Sequence, residues 1–434
     1  MTEKYLCLKS NNLMNKLFQR IINVLIQLNF AISLLLILAM FSVIGTLIEQ
    51  DQTLSYYQIN YANNFLFNVP KWKIISFLGL DHIYRTSWFI SLIITLVISL
   101  ILCSLKTQFP ALKLARLLQF KLTTLKSKTI NKIEIDFSAI GHKLIQRRYQ
   151  TIQQGYSIYS YQGIIGKIAP IIVHVSLIII LFGSLLGIFT GFVAQQMLPQ
   201  GEISHIQNII SSGLFSHISQ QTSLKVNQFS IEYYQNGGIS QFYTDLTLFN
   251  SKLHKLANKV ISVNHPLKYK RLTIYQTDWD LAALRVTFDG QNIYELPLNK
   301  TKIQDYNIWF CSFPINAKEE ITLTLMDIRG DYYIYDNEGK LIQKASFQQP
   351  LFIKKKYFQV LGYIPTTGLQ IKLDLGLPFV YFGFFLLILS LLLAYLSYNQ
   401  IWINKNKGYL NLLGEHSRAK LQFHNHIAQI SQRE

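Results

Sequence analysis

A chain of 434 residues, half of them hydrophobic and only 15% charged, with the apolar residues gathered in long runs, describes a membrane protein carrying a sizeable polar part. The net charge of +18 does not point to nucleic acid, because the excess flanks the apolar runs, and no zinc-finger spacing or basic stripe interleaved with aromatics occurs. The three cysteines, Cys7, Cys103 and Cys311, make neither a CxxC pair nor an even-numbered framework, which excludes a disulfide scaffold and a thioredoxin-like thiol pair; without CxxCH the chain is not itself a c-type cytochrome.

Residues 1–20 are polar, with Lys4, Lys9, Lys16 and Arg20, and are expected on the stromal or cytoplasmic side. No cleavable signal pattern follows, since the first apolar run is too long and lacks a small-residue cleavage site. That run, 21–48, is the first expected span and ends in Gly45-Thr46-Leu47-Ile48-Glu49-Gln50, where Gly45 and Thr46 read as small residues for close helix packing. A loop, 49–86, holds Asn68-Val-Pro70 and the interfacial aromatics Trp72 and Phe77, then Asp81-His82-Ile-Tyr84-Arg85. The second span, 87–105, opens on Trp88, an aromatic-belt anchor.

Residues 106–167 hold eleven Lys or Arg against Glu134 and Asp136, which assigns them to the stromal or cytoplasmic side; Leu112, Ala115, Leu118 and Leu122 recur there at helical spacing, as in a helix lying on an anionic leaflet. The third span, 168–191, carries one ionisable side chain, His174, about a turn and a half inside. An imidazole in hydrocarbon must meet a partner, a cavity or a metal, so His174 is a candidate ligand or relay, with an interhelical hydrogen bond as its other reading.

Residues 192–375 balance eighteen basic against fifteen acidic side chains and turn to period two, with Leu224-Lys-Val226 and Phe242, Thr244, Leu246 and Leu248 on alternating positions. Turn signals at Asn236-Gly237-Gly238, Asp289-Gly290-Gln291 and Asn337-Glu-Gly339 separate short strands, which predicts a β-sandwich or barrel-like sheet; Gly201 to Gln221 reads as helix or loop. A fourth span, 377–398, returns the chain to the basic side, and 399–434 forms a polar tail. The expected fold is thus an α + β membrane protein: four transmembrane helices, with a large mainly-β domain inserted between the third and fourth.

Taken in order, several pieces resemble the ResB/CcsB family, the membrane subunit of the System II cytochrome c maturation machinery of plastids, cyanobacteria and some other bacteria. They are Gly45 to Gln50, Asp81…Tyr84-Arg85…Trp88-Phe89, His174, Ile261-Ser-Val-Asn-His-Pro266-Leu267…Ile274-Tyr275-Gln276-Thr277-Asp278-Trp279, Thr367-Gly368-Leu369-Gln370-Ile371-Lys372-Leu373-Asp374, and Ser417-Arg418-Ala419-Lys420 with Phe423. One departure is Asp374-Leu375-Gly376-Leu377-Pro378, where the family commonly places Pro directly after the acidic residue; the last helix start could shift by a turn.

The resemblance implies haem handling. Such proteins work with a second membrane subunit, CcsA, to bring haem b, a transient cargo, to the outer face and attach it to the CxxCH of apocytochromes c such as cytochrome f and soluble lumenal cytochrome c. His174 falls where the family has a proposed haem-iron ligand, with a second histidine from the partner completing a bis-histidine site. The tryptophan-rich haem motif of CcsA is absent, as befits a partner.

Arg85 has two readings, a haem-propionate contact and interfacial snorkelling. Asp278 matches a family position expected to matter, and otherwise reads as a solvated strand-end carboxylate. His205, His217, His254 and His265 read as surface residues, and His416, His424 and His426 lie on the wrong side for attachment. Enzyme status stays undecided, because the complex is a haem lyase while this chain shows no catalytic constellation. Alternatives are a membrane scaffold or apocytochrome chaperone that does not bind haem, and a haem transporter subunit. An Ile-, Asn-, Lys- and Tyr-rich composition fits an AT-rich plastid genome and hence a chloroplast thylakoid; a cyanobacterial thylakoid or bacterial inner membrane would give the same topology.

Overall fold

The computed structural model describes residues 16, 18–63, 69–110, 137–217, 222–235, 238–288, 290–303, 306–316, 319–326, 328–353, 356–406 and 409–416. The readings of Lys4, Cys7, Lys9, Asn68, Leu112 to Leu122, Asn236, Gly237, Asp289, the Ser417 to Phe423 motif, His424 and His426 lie outside the described residues. Two compact units emerge, one running to Ile188 and resuming at Gly376, the other Phe189–Leu375.

In the first unit, four helices among the described residues are long and apolar enough to cross a membrane: α1 (Leu28–Leu47), α4 (Ser87–Cys103, prolonged by a π-helical turn Ser104–Gln108), α6 (Ile164–Thr190) and α7 (Leu377–Ala394). Between them lie α2 (Leu54–Asn60), α3 (Lys71–Leu78), a 3-10 turn (Leu80–Arg85) and α5 (Phe137–Gln146). Leu28, Leu35, Leu36 and Val43 of α1, and Phe382, Phe385 and Leu392 of α7, are exposed apolar side chains; surface of that kind belongs against hydrocarbon. The expected first span is two helical pieces, because Gln27 is extended (ψ 132°) and separates a helical stretch ending at 25 from α1. Ser99 of α4, buried, donates 2.6 Å to the Leu25 carbonyl beside this break, satisfying a group that has no water to turn to.

Helices α6 and α7 meet backbone to backbone. A Cβ on Gly376 would collide with the Gly183 carbonyl, one on Gly166 with the Leu396 carbonyl, and one on Gly383 would lie 2.6 Å from Ile180 Cγ1. Small residues let transmembrane backbones approach this closely, and packing between them replaces the hydrophobic drive that lipid removes. Strands β1 (Gln150–Gln154) and β2 (Ser157–Gln162) enter α6, while β19 (Asn399–Asn406) and β20 (Tyr409–His416) leave α7; they form one antiparallel sheet, ordered β1-β2-β19-β20. Gly163, in the left-handed region at φ +76°, turns β2 into α6 where any side chain would strike the Ser397 carbonyl. Thus the basic loop and the polar tail, which carried no strand signal, pair with each other. Pro378 sits in the first turn of α7, where its missing N–H costs nothing, so the helix starts at Leu377 despite the displaced proline.

The second unit is built on one seven-stranded sheet containing β3 (Phe192–Pro199), β5 (Ile209–Ser212), β9 (Leu267–Tyr269), β10 (Leu272–Thr287), β11 (Ile293–Pro297), β17 (Leu351–Ile353) and β18 (Lys356–Leu373). Its long central pair, β10 and β18, serves two cores. Ile274, Leu369 and Ile371 pack with Leu224, Val226, Leu246, Leu248 and Ile261 from a four-stranded sheet of β4 (Ile203–His205), β6 (Ser223–Tyr233), β7 (Ile239–Phe249) and β8 (Lys255–Ser262). Leu281, Leu284, Val286, Phe358 and Val360 pack with a five-stranded sheet of β12 (Asn299–Ile303), β13 (Tyr306–Asn316), β14 (Glu319–Leu325), β15 (Asp331–Tyr335) and β16 (Leu341–Ser346). Of the period-two positions, Leu224, Val226, Thr244, Leu246 and Leu248 are fully buried and Phe242 is half-buried, which is why the alternation was visible. Within Gly201 to Gln221 the described residues form two short strands, β4 and β5, set in turns and loop, with no helix among them.

Gly376→Ala is expected to lower stability by about 1–3 kcal/mol or more through backbone overpacking, whereas Gly362→Ala, with open space around it, leaves it unchanged. Thermal unfolding in detergent, followed by circular dichroism, reads the difference.

Candidate functional site

His174 lies ten residues into α6, about 15 Å along the helix from Ile164. Three and four residues on, and at the turns beyond, Leu177, Ile178, Leu181 and Leu185 pack on the core shared by α1 and α4, built from Leu34, Leu38, Ile93, Leu96 and Leu100. His174 is therefore the polar head of the stripe that α6 turns to α4. Its Nδ1 lies 3.2 Å from the hydroxyl of Ser104, the first residue of the π turn. The ring is half-buried, and Nε2 meets no hydrogen-bond partner among the described residues. A neutral imidazole held by one nitrogen, with the other uncommitted inside an apolar span, has the donor chemistry that haem iron takes from histidine.

At the other end of α4, the motif closing α1 forms a clamp. Gln50 Nε2 donates to the Ile48 carbonyl (2.8 Å) and the Leu80 carbonyl (2.9 Å), and its Oε1 accepts from the Ile83 amide (3.0 Å). Gly45 admits Ile83 and Tyr84 against the helix, and Tyr84 donates to the Ser42 carbonyl at 3.2 Å. Arg85 forms an ion pair with Asp51, whose amide bonds the Asp81 carbonyl at 2.8 Å. Trp88 Nε1 donates to the Leu78 carbonyl at 3.1 Å, so this aromatic anchor also ties α3 to α4. Arg85 precedes Ser87 while Ser104 lies 17 residues beyond Ser87, about 25 Å along α4. His174 and Arg85 therefore do not form one site.

Asp278 belongs to the other unit, at the bulge in β10 between Gln276 and Asp278, opposite Gly368 of β18. It is exposed, and its Oδ1 accepts from the Trp279 amide at 2.8 Å. This bulge marks where β10 passes from one core to the other. Beside it, buried Gln276 donates to Thr244 Oγ1 (2.8 Å) and Thr367 Oγ1 (3.3 Å), and Thr244 donates to Thr367 at 3.0 Å. Trp279 stacks on Phe229 and meets Trp309 at a tilt, and Trp309 Nε1 donates to Asp280 Oδ1 at 2.5 Å. Sequence reasoning singled out Asp278 from this motif and passed over Gln276, Thr367 and Asp280, although the first two stand in the same quoted stretches. Ser104 carried no signal at all. His205 bonds Ser223 at 3.1 Å and the imidazole of His265 faces the Val263 carbonyl at 3.3 Å. Cys311 on β13 is buried, and burial pushes its thiol up to about 12.

Fold and site together define a multi-pass membrane protein with four spanning helices, a large β domain between the third and fourth, and one histidine inside the third. The model of the ResB-like family matches residues 28–333, and the chain belongs to that family. It is 40% identical over 415 residues to cytochrome c biogenesis protein Ccs1 of Porphyra purpurea, covering 94% of each chain. It is 41% identical over 430 residues to Ccs1 of Rhodomonas salina, covering 96% of this chain and 97% of that one. To cytochrome c biogenesis protein CcsB of Crocosphaera subtropica it is 38% identical over 426 residues, 95% of this chain and 94% of the relative.

If the Arg85–Asp51 pair serves the clamp, Arg85→Ala and Asp51→Ala destabilise to a similar degree and the double variant is non-additive, with a coupling of about 0.5–1 kcal/mol for so exposed a pair. Additive losses in thermal unfolding would assign Arg85 to another partner. Cys311, protonated through pH 9 by its raised value, resists iodoacetamide in the folded protein and alkylates once the chain is denatured, as mass spectrometry of the modified peptide records.

Proposed function

We propose that this protein acts in the biogenesis of c-type cytochromes, at the delivery of haem and its covalent attachment to apocytochrome CxxCH on the outer side of the membrane. The observation that carries the reading is the uncommitted Nε2 of His174, held inside an apolar span by a bond through Nδ1. The names of the relatives, cytochrome c biogenesis proteins, support it independently. Haem b is the cargo, a CcsA-type membrane subunit the partner that supplies the opposite axial ligand, and apocytochromes c the acceptors.

Attachment adds a cysteine S–H across each vinyl group of the porphyrin, forming a C–S and a C–H bond. The thiols come from the acceptor. Cys311, buried and protonated, is not poised for such chemistry, and the part proposed for this chain is ligation and orientation. Algal and cyanobacterial relatives, and basic segments beside the spans, support a thylakoid membrane with the β domain in the lumen. Arg85, if it meets a propionate, does so at an outer position reached after His174, in exchange for Asp51. Asp278, exposed at its bulge, is the corresponding candidate contact for an acceptor or partner.

One observation favours a second reading, a scaffold: the Ser104–His174 bond would also stand as a plain interhelical tie. The two separate in the native host. With His174→Ala, haem-stained c-type cytochromes are expected to fall at least about tenfold, since losing a ligand costs no less than losing one of its outer-shell partners, while the chain accumulates normally. His174→Asn behaves alike if iron ligation matters. Cytochrome levels retained in His174→Asn would support the scaffold.

A further inference from the structure

Ser104 holds one hydroxyl hydrogen and faces two groups: the Leu100 carbonyl at 2.8 Å and His174 Nδ1 at 3.2 Å. A carbonyl can only accept, so the hydrogen goes to Leu100, and Oγ turns a lone pair to the imidazole. Nδ1 must then be the protonated nitrogen. A neutral imidazole carries one such proton, which leaves Nε2 with its lone pair exposed. Ser104 is 4% exposed, so bulk water does not compete for this contact.

The position is built by an irregularity in the backbone. At Ser104 the α-helix widens into a π turn whose opening carbonyl is bonded by Phe109, five residues on. Single π turns of this kind recur at functional sites because they re-aim the side chains on one face. Here the turn begins at Ser104, the residue that meets His174.

We infer that Ser104 is a positioning residue for haem: it fixes His174 as the Nδ1-protonated tautomer and aims Nε2 at the iron. The inference rests on the reading of His174 as a ligand given above. A hydrogen bond from the distal N–H of a ligating imidazole raises its basicity and locks its ring plane. Removing it therefore weakens the iron bond and disfavours ferric haem, without removing the ligand.

The test uses the affinity-purified membrane complex with its co-purifying haem, in wild type, Ser104→Ala, Ser104→Thr, His174→Ala and the Ser104→Ala/His174→Ala pair. Haem loss is timed by capture in excess apomyoglobin, and the midpoint potential is read by spectroelectrochemistry. Ser104→Ala is expected to release haem about tenfold faster, as for loss of an outer-shell partner, and to raise the midpoint potential. Ser104→Thr, which keeps an acceptor oxygen, restores both values, and the paired variant shows no loss beyond His174→Ala. Should Ser104→Ala prove poorly folded, Ser104→Cys, close in size and a weak acceptor, takes its place with the same expectation.

Unchanged release and potential in Ser104→Ala, while His174→Ala loses its haem spectrum, would overturn the role of Ser104 and leave the ligand reading standing. An unaltered spectrum in His174→Ala would overturn both.

Discussion

The architecture of the membrane unit depends on the close approach of α6 and α7. The chain leaves at the end of α6, builds a β domain, and returns at α7; in lipid no hydrophobic drive brings these helices together again. Contact is made instead by removing side chains: Gly163, Gly166, Gly183, Gly376 and Gly383 line the seam, and each would clash if given a Cβ. The buried hydroxyls there, Ser176 and Ser390, bond carbonyls of their own helices at 2.7 Å, so these two groups are satisfied without water. The β2–β19 pairing prolongs the same union at one end of the two helices.

With α6 fixed to α7 on one side, its other side is free to meet α4. That contact is apolar over Leu177, Ile178, Leu181 and Leu185 and becomes polar at His174 and Ser104. Polar bonds in this setting specify orientation more than they add stability, since the same groups find other partners in an unpacked membrane chain. The apolar stripe supplies packing, and the histidine and serine supply register. The opposite end of α4 is tied by Gln50 and Tyr84 to α1, so the helix that presents Ser104 is braced at both ends.

Much of this was legible in the sequence, for physical reasons. Long apolar runs report spanning helices directly, because no other structure satisfies a backbone in lipid. A lone imidazole in such a run is conspicuous for the same reason. The partner of His174 was not legible: Ser104 in a span reads as a hydroxyl bonded to its own helix, which it is, and only the packing of α4 on α6 brings it to the ring. The sheet β1-β2-β19-β20 escaped notice because its strands are short and the pairing that joins its two hairpins, β2 with β19, spans more than two hundred residues, as between Tyr159 and Trp402. In the β domain the motif Tyr275-Gln276-Thr277-Asp278-Trp279 was visible as a motif. Its roles were not, because the exposed Asp278 drew the chemistry while the buried Gln276 carries the bonds that tie β10 and β18 to β7 of the facing sheet.

The central claim is that His174 ligates haem iron. The most direct measurement is the absorption spectrum of the purified complex beside His174→Ala and His174→Asn. Ligation by two histidines gives a low-spin haem spectrum in the wild type that is lost in both variants while the partner subunit still co-purifies. Unchanged haem content and spectrum in the two variants would contradict the claim and leave the iron to the partner.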